Sequence, residues 1–277
     1  MHATARLLCL AAPVLLAAAV PTASSTASNT ASRLAAPLPG HVVDITVGDF
    51  FIRAPDSLPA GLTTFRMSSL VGDHMVWVFR LHGGHTVADL VKANDAGTPK
   101  PPWADNLSGP GFAPPHGSAN ATMILEPGEY AMICFVTYAD GQPHYRKGMF
   151  HRLVVTGGAR PVAKLPHPDV VVSLVDHRFQ FSRPLHAGSQ LVRIVNRGHV
   201  LHEFKLYRVP PGHSAREYLT SPPKAGAAST AQSAGAVATL LPGDSVLTTL
   251  QLSPGEYALF CEPQLGHGMT KALRIAP

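Results

Sequence analysis

The stretch PGEYAMICFVTYADGQPHYRKGM, Pro127–Met149, decides how this chain is interpreted. Its first half alternates in the manner of a β-strand and ends near Cys134. Its second half is a polar turn that carries His144 and Met149. A thiol, an imidazole and a thioether are thereby placed at one strand end. Together with a second histidine from elsewhere, they are the ligands that a mononuclear copper site uses for electron transfer.

The same pattern occurs again near the C-terminus as PGEYALFCEPQLGHGM, Pro254–Met269. A match of this length indicates an internal duplication. When the two copies are aligned, Cys134 corresponds to Cys261, and His74 corresponds to His202. The alignment therefore supplies a second histidine in each copy, at the start of a strand that follows a turn.

Length and composition favour two domains built from strands. A chain of 277 residues is long enough for two ordinary domains. Its 26 prolines and 24 glycines, with only 14% charged residues, are typical of many short strands joined by turns, which indicates an all-β protein. The net charge of +5 is dispersed without a basic run, so the sequence gives no indication of nucleic-acid binding.

The N-terminus has the features of an export signal. Residues 1–23 combine Arg6, an apolar run and small residues, and the run is too short for a membrane span. We therefore expect a secreted or periplasmic protein. The remaining boundaries are predicted as a flexible Ser/Thr/Ala/Pro linker at 24–40, a first domain at 41–156, a linker at 157–168 and a second domain at 169–277.

Once the signal is removed, Cys134 and Cys261 are the remaining cysteines. Two cysteines in an exported protein can form a disulfide. Since both occupy the same place in their own copy, a bridge would require two equivalent strand ends to meet, and free thiols are the favoured prediction.

A short helix is also predicted in each domain, one capped by Thr86 and one within SAREYL, Ser214–Leu219.

At the histidine, cysteine and methionine positions of the two copies, the sequence resembles the cupredoxins, the blue copper family. The resemblance covers about His41 to Pro277, and the chain also resembles exported bacterial proteins with paired domains of this kind. It implies two tandem cupredoxin-like Greek-key β-sandwiches, each with a short helix.

The resemblance also implies the copper ligands of the first domain. Carried over by position, they are His74, Cys134, His144 and Met149, with His144 near the surface as the route for electrons. The sequence departs from the family at Met75, where many members have asparagine, and this puts the usual tie between the ligand loops in doubt.

The second domain keeps only part of this pattern. His202, Cys261 and Met269 are present, but Gln264 stands where His144 would fall, and only Gly268 separates His267 from Met269. A rearranged site that uses Gln264 or His267 and a lost site are both open. One copper, in the first domain, is the expectation.

The resulting hypothesis is a copper protein for electron transfer or copper handling, with a redox partner protein or a copper donor or acceptor. The residues beside the cysteines are Ile133 and Phe135, and Phe260 and Glu262, so the flanking histidines that copper oxidases and nitrite reductases use are absent, and no enzyme is predicted. One alternative is a metal-free interaction module, in which the cysteines and methionines are ordinary core residues. Another is a copper enzyme with an inter-domain metal, built from histidines otherwise expected at the surface, namely His82, His85, His116 and His151.

Overall fold

The computed structural model describes residues 37–98, 100–157, 164–220 and 231–277. The predicted signal peptide and most of the linker at 24–40 lie outside these ranges, as do residues 158–163 of the second linker. Within the described ranges, no helix is long and apolar enough to cross a membrane.

The chain folds into strands throughout the described ranges, which confirms the all-β prediction. We refer to residues 41–156 as the N-terminal half and to residues 169–277 as the C-terminal half. The strands of the N-terminal half are β1 (His41–Gly48), β2 (Phe51–Arg53), β3 (Ser57–Pro59), β4 (Gly61–Ser69), β5 (Trp77–Leu81), β6 (Ala104–Asn106), β7 (Ser118–Leu125), β8 (Gly128–Ile133) and β9 (Phe150–Thr156). Those of the C-terminal half are β10 (Val170–Val175), β11 (Arg178–Phe181), β12 (Gly188–Asn196), β13 (His202–Arg208), β14 (Gln232–Leu240), β15 (Ser245–Leu252), β16 (Gly255–Phe260) and β17 (Thr270–Ile275).

The described strands form three sheets. One sheet of the N-terminal half has the order β3-β9-β8-β5-β6, and one sheet of the C-terminal half has the order β14-β13-β16-β17. The third sheet, β11-β10-β12-β15-β7-β4-β1-β2, takes strands from both halves. Apolar side chains of all three sheets, such as Phe65, Tyr130 and Phe204, belong to one continuous core.

The shared sheet is joined between β7 and β15. These strands pair antiparallel at Thr122 and Leu247. The Asn120 side chain secures the junction, because its amide donates to the Thr249 carbonyl at 2.8 Å while its oxygen accepts from the Thr249 N–H at 2.8 Å. The sequence did not predict this continuity, because sequence patterns indicate single strands and do not indicate which strand will pair with the edge strand of a sheet. The domain limits themselves remain a prediction.

Strand β14 is a second feature that the sequence analysis missed. Its residues pair with β13 and also bond to the N-terminal half. Gly111 donates to the Ala236 carbonyl at 3.2 Å, and Ala238 donates to the Gly109 carbonyl at 2.9 Å. A Cβ on Gly111 would lie 2.4 Å from the Val237 backbone. Glycine is therefore needed at position 111, where the two backbones approach closely.

The two predicted helices are present. Helix α1, Val87–Asp95, is capped by Thr86, whose hydroxyl accepts from the Asp89 N–H while the Asp89 carboxylate accepts from the Thr86 N–H. Helix α2, Ala215–Thr220, overlaps the predicted segment and extends one residue beyond it.

A buried ionic cluster lies on the face of β13 that meets the N-terminal half. The Lys205 ammonium is 2.9 Å from the Glu203 carboxylate, bonds to Glu262 and lies 4.4 Å from the centre of the Phe112 ring. These two carboxylates raise the pKa of Lys205 despite its burial. The ammonium is therefore held as a cation between the halves, where the removal of a partner would leave an unpaired charge.

Each half also has a buried tyrosine that bonds back to the start of its own hairpin. The Tyr130 hydroxyl donates to the Glu126 carbonyl at 2.8 Å and accepts from the Glu126 N–H at 3.0 Å. Tyr257 makes the same two bonds with Ser253, at 2.8 and 3.1 Å. This arrangement, a tyrosine corner, fixes the entry into the strand that leads to each cysteine.

We expect Tyr130→Phe and Tyr257→Phe each to lower the free energy of unfolding by about 1–3 kcal/mol, because each removes both hydrogen bonds of a tyrosine hydroxyl, each worth about 0.5–1.5 kcal/mol. Urea unfolding followed by circular dichroism measures the change. Tyr138→Phe, at an exposed tyrosine, is the matched control and should leave the midpoint unchanged. Midpoints equal to that of the parent protein in both corner variants would contradict this role.

Candidate metal centre

Backbone hydrogen bonds close the end of strand β8 and the turn that follows it. Cys134 follows β8, and its N–H donates to the Met149 carbonyl at 3.1 Å, which extends the β8–β9 ladder by one step. Between these residues the chain makes a 3₁₀ turn, His144–Lys147, which ends at Gly148 with a positive φ of 94°. The Tyr145 hydroxyl donates to Asp95 at 2.9 Å, so the end of α1 holds this turn in place.

The structure brings together three of the four ligands predicted for the first domain. The Nδ1 atoms of His74 and His144 lie 3.2 Å apart, and Cys134 Sγ lies 3.7 Å from His144 Nδ1. All three ligand atoms are within 4.8 Å of one another, and it is the one such group of three found in the described part of the chain. The fourth, Met149, is fully buried, and its backbone bonds to Cys134.

The loop before β5 fixes the tautomer of His74. Its Nε2 lies 2.8 Å from the Val71 carbonyl, which can only accept, so Nε2 carries the proton and the Nδ1 lone pair faces the cluster. A metal-binding histidine is commonly oriented in this way by its outer nitrogen. Gly72 permits the close approach, since a Cβ there would lie 2.8 Å from the Asp49 carboxylate and 3.1 Å from His74 Nε2.

Burial keeps the three groups neutral when no cation is bound. It raises the pKa of the Cys134 thiol to about 11, although Sγ accepts backbone N–H bonds from Met75 and Val136. It also lowers the pKa of both His74 and His144. A cation that binds here would therefore meet neutral imidazoles and would displace the thiol proton. The hydrogen bond from the Met75 N–H to Cys134 Sγ also ties the two ligand loops together, without the asparagine that many cupredoxins have at this position.

The position of His144 corrects the sequence-based expectation. Its ring was expected near the surface, but it is only 3% exposed. Phe50 and Tyr138 cover it, with ring centres 5.8 and 5.7 Å from the His144 ring. The Lys147 ammonium lies over the Tyr138 ring at 4.5 Å. We call Phe50 and Tyr138 the aromatic cover; it separates the cluster from solvent.

The C-terminal half retains a histidine–cysteine pair. His202 Nδ1 lies 3.7 Å from Cys261 Sγ, and Sγ accepts from the Glu203 N–H at 3.2 Å. His202 Nε2 donates to the Asp176 carboxylate at 3.0 Å, so the Nδ1 lone pair again faces the sulfur. The C-terminal pair is therefore oriented like the N-terminal one. Both cysteines are free and buried, in agreement with the expectation of free thiols.

Gln264 occupies the structural place of His144. In the N-terminal half the Met149 N–H donates to the His144 carbonyl at 3.2 Å, and in the C-terminal half the Met269 N–H donates to the Gln264 carbonyl at 3.2 Å. Met269 is buried like Met149. His267, considered as a replacement ligand, is exposed and its ring lies beside that of His177. The structure thus places two imidazoles at the first cluster and one at the second.

Sequence reasoning missed the residues that position and cover the clusters. Asp49 and Phe50 lie at one turn, and Asp176 and His177 lie at the corresponding turn of the other half. The same offset that separates Cys134 from Cys261 also separates these two pairs, so the alignment of the copies could have identified them. The histidines expected at the surface are all at least partly exposed, namely His82, His85, His116 and His151.

Among solved structures, this chain is similar to several copper proteins. No protein-family model and no curated protein matches the chain. Auracyanin from Roseiflexus castenholzii is 23% identical over 42% of this chain and 98% of its own, with a TM-score of 0.27. Auracyanin A from Chloroflexus aurantiacus, a "blue" copper protein, is 22% identical over 42% of this chain and 99% of its own, with a TM-score of 0.29. A multicopper oxidase is 13% identical over 86% of this chain and 91% of its own, with a TM-score of 0.26.

Because the TM-scores are low, the chemistry of the centre rests on its own geometry, which is a buried group of His74, Cys134 and His144.

Gln264→His should complete a three-ligand group in the C-terminal half, because position 264 has the backbone geometry of His144 and His202 already faces Cys261. In a Cys134→Ser protein titrated with Cu(II), we expect this substitution to produce intense thiolate-to-copper absorption. Leu265→His, one position further at an exposed residue, is the control and should give none. The same spectrum for both variants would contradict the proposed equivalence.

Proposed function

We propose that the N-terminal half binds one copper ion through His74, Cys134, His144 and Met149, and that the protein acts in electron transfer. The observation that carries this proposal is the buried convergence of two Nδ1 atoms and one thiol within 4.8 Å. Two imidazoles and a thiolate with a nearby methionine match the donor set of blue copper sites. Copper in such a site supplies reversible one-electron transfer.

The surroundings of the cluster support electron transfer over copper delivery. His74 and Cys134 are fully buried, and the aromatic cover shields His144. The Val71 carbonyl and the turn held by Asp95 fix the imidazoles on a rigid sheet end. Ligands held in one geometry suit a rapid change of oxidation state, whereas a delivery site needs access for a competing ligand. The cover also includes an exposed tyrosine, Tyr138, whose ring contacts that of His144.

We further propose that the protein is exported and that it exchanges electrons with a partner protein. The predicted signal peptide supports an exported protein, and a redox partner protein is the expected counterpart. A carrier and not an enzyme is proposed, because the residues beside Cys134 are Ile133 and Phe135 and not the histidines that would relay electrons to a second copper. The C-terminal half is proposed to hold no copper through Cys261, since Gln264 replaces the second imidazole.

The first test is a Cu(II) titration of the protein without residues 1–23, beside Cys134→Ser and Cys261→Ser. We expect intense thiolate-to-copper absorption that saturates at one equivalent, is lost in Cys134→Ser and persists in Cys261→Ser. Cys261, buried to the same degree, makes the second variant a matched control. Absence of this absorption in the parent protein, with both thiols reduced, would refute the proposal and leave the metal-free module.

The second test separates electron transfer from copper handling. Tyr138→Ala removes ring contacts with Phe50 and His144, each worth about 1 kcal/mol, so a chelator should extract copper up to about thirtyfold faster than from the parent. Leu165→Ala, at another exposed apolar residue, should not change the rate. If the parent already loses copper as fast as Tyr138→Ala, the cover does not retain the ion, and copper handling becomes the better assignment.

A further inference from the structure

A pair of histidines lies at the surface of the C-terminal half, outside both cysteine clusters. His177 is at the turn between β10 and β11, and His267 ends the 3₁₀ turn Glu262–His267. Their ring centres are 5.0 Å apart, and the ring planes are tilted by 46°. Both side chains are exposed. The pair is therefore accessible from solvent, unlike the buried clusters.

The corresponding place in the N-terminal half shows that this pair replaces a different contact. Phe50 corresponds to His177, and both residues have a left-handed backbone, with φ of 67° and 68°. Lys147 corresponds to His267, since each precedes a Gly-Met pair, and the Lys147 ammonium lies 5.2 Å from the centre of the Phe50 ring. A cation–π contact in one half is thus matched by two imidazoles in the other.

The local hydrogen bonding leaves these two imidazoles available. Their neighbours His199 and His202 are held by the Asp176 carboxylate, at 2.8 and 3.0 Å. In the part of the chain that the structure describes, the ring nitrogens of His177 and His267 make no hydrogen bond to protein atoms, and their contact is with each other. Their nitrogens are therefore free to bind a ligand that accepts two lone pairs.

We propose that His177 and His267 form a second, solvent-accessible site for a divalent transition-metal ion, with Cu(II) as the ion to test first. Imidazole is a preferred ligand of Cu(II), Ni(II) and Zn(II). A ring separation of 5.0 Å allows one nitrogen of each ring to come within the roughly 4 Å that two metal–nitrogen bonds of about 2 Å can span. Water completes the coordination. The site contains no thiol, so it captures and exchanges the ion without the spectrum of a thiolate-bound copper.

The test counts Cu(II) bound to the protein without residues 1–23 by calorimetry, with electron paramagnetic resonance to detect nitrogen ligands. We expect one equivalent that adds no thiolate absorption. His177→Asn and His267→Asn should each weaken its binding by at least about tenfold, because even the loss of an outer-shell partner costs 10–100-fold. Asparagine suits position 177 because it tolerates the left-handed backbone. His177→Phe, which restores the ring of Phe50 without the nitrogen, should weaken binding as much.

His213→Asn, at an exposed histidine of the same half, is the control and should bind like the parent. Unchanged affinity in His177→Asn or His267→Asn would overturn the proposal, and so would an equal loss in His213→Asn, which would indicate nonspecific binding by surface histidines. The result is independent of the buried centre, because that centre is followed by its thiolate absorption and depends on Cys134.

Discussion

The arrangement of each cluster depends on one backbone hydrogen bond, from the cysteine N–H to the methionine carbonyl. It measures 3.1 Å between Cys134 and Met149 and 3.1 Å between Cys261 and Met269. The bond extends the hydrogen-bond ladder between two strands by one residue pair. The cysteine and the methionine therefore stay adjacent whatever the length of the turn between them. The turn of the C-terminal half is shorter by seven residues, yet its last residues make the same backbone hydrogen bonds as those of the N-terminal half. Because the frame is the same, the identity of one side chain, His144 or Gln264, distinguishes the two clusters.

The two halves are joined by more than a linker. A shared sheet, the backbone contacts of β14 and the buried Lys205 cluster connect them. Asp73, directly before His74, lies within electrostatic range of Lys205 and Glu262, and burial raises its pKa. Glu262 in turn follows Cys261 directly. The charged groups around Lys205 therefore adjoin both clusters.

The sequence predicted the features that depend on local pattern and on repetition. The all-β class follows from turn residues and alternating strands, and the cap at Thr86 follows from its spacing to Asp89. The convergence of His74, Cys134 and His144 came from the resemblance and from the alignment of the two copies. The sequence did not predict the burial of His144, because the rings that cover it come from a turn and a loop whose pattern is unremarkable. Strand β14 was missed because its many small residues lack the alternation of apolar and polar side chains that indicates a strand.

The junction between β7 and β15 has a consequence for the independence of the two halves. If the chain were cut in the linker and the halves were produced separately, each would present a strand with unpaired N–H and carbonyl groups at the edge of its sheet. Such edges pair readily with other chains. A buried lysine and its carboxylates would also be released into water on one side. Each half would thus carry a self-association surface, and solubility at high concentration belongs to the joined molecule and not to its parts.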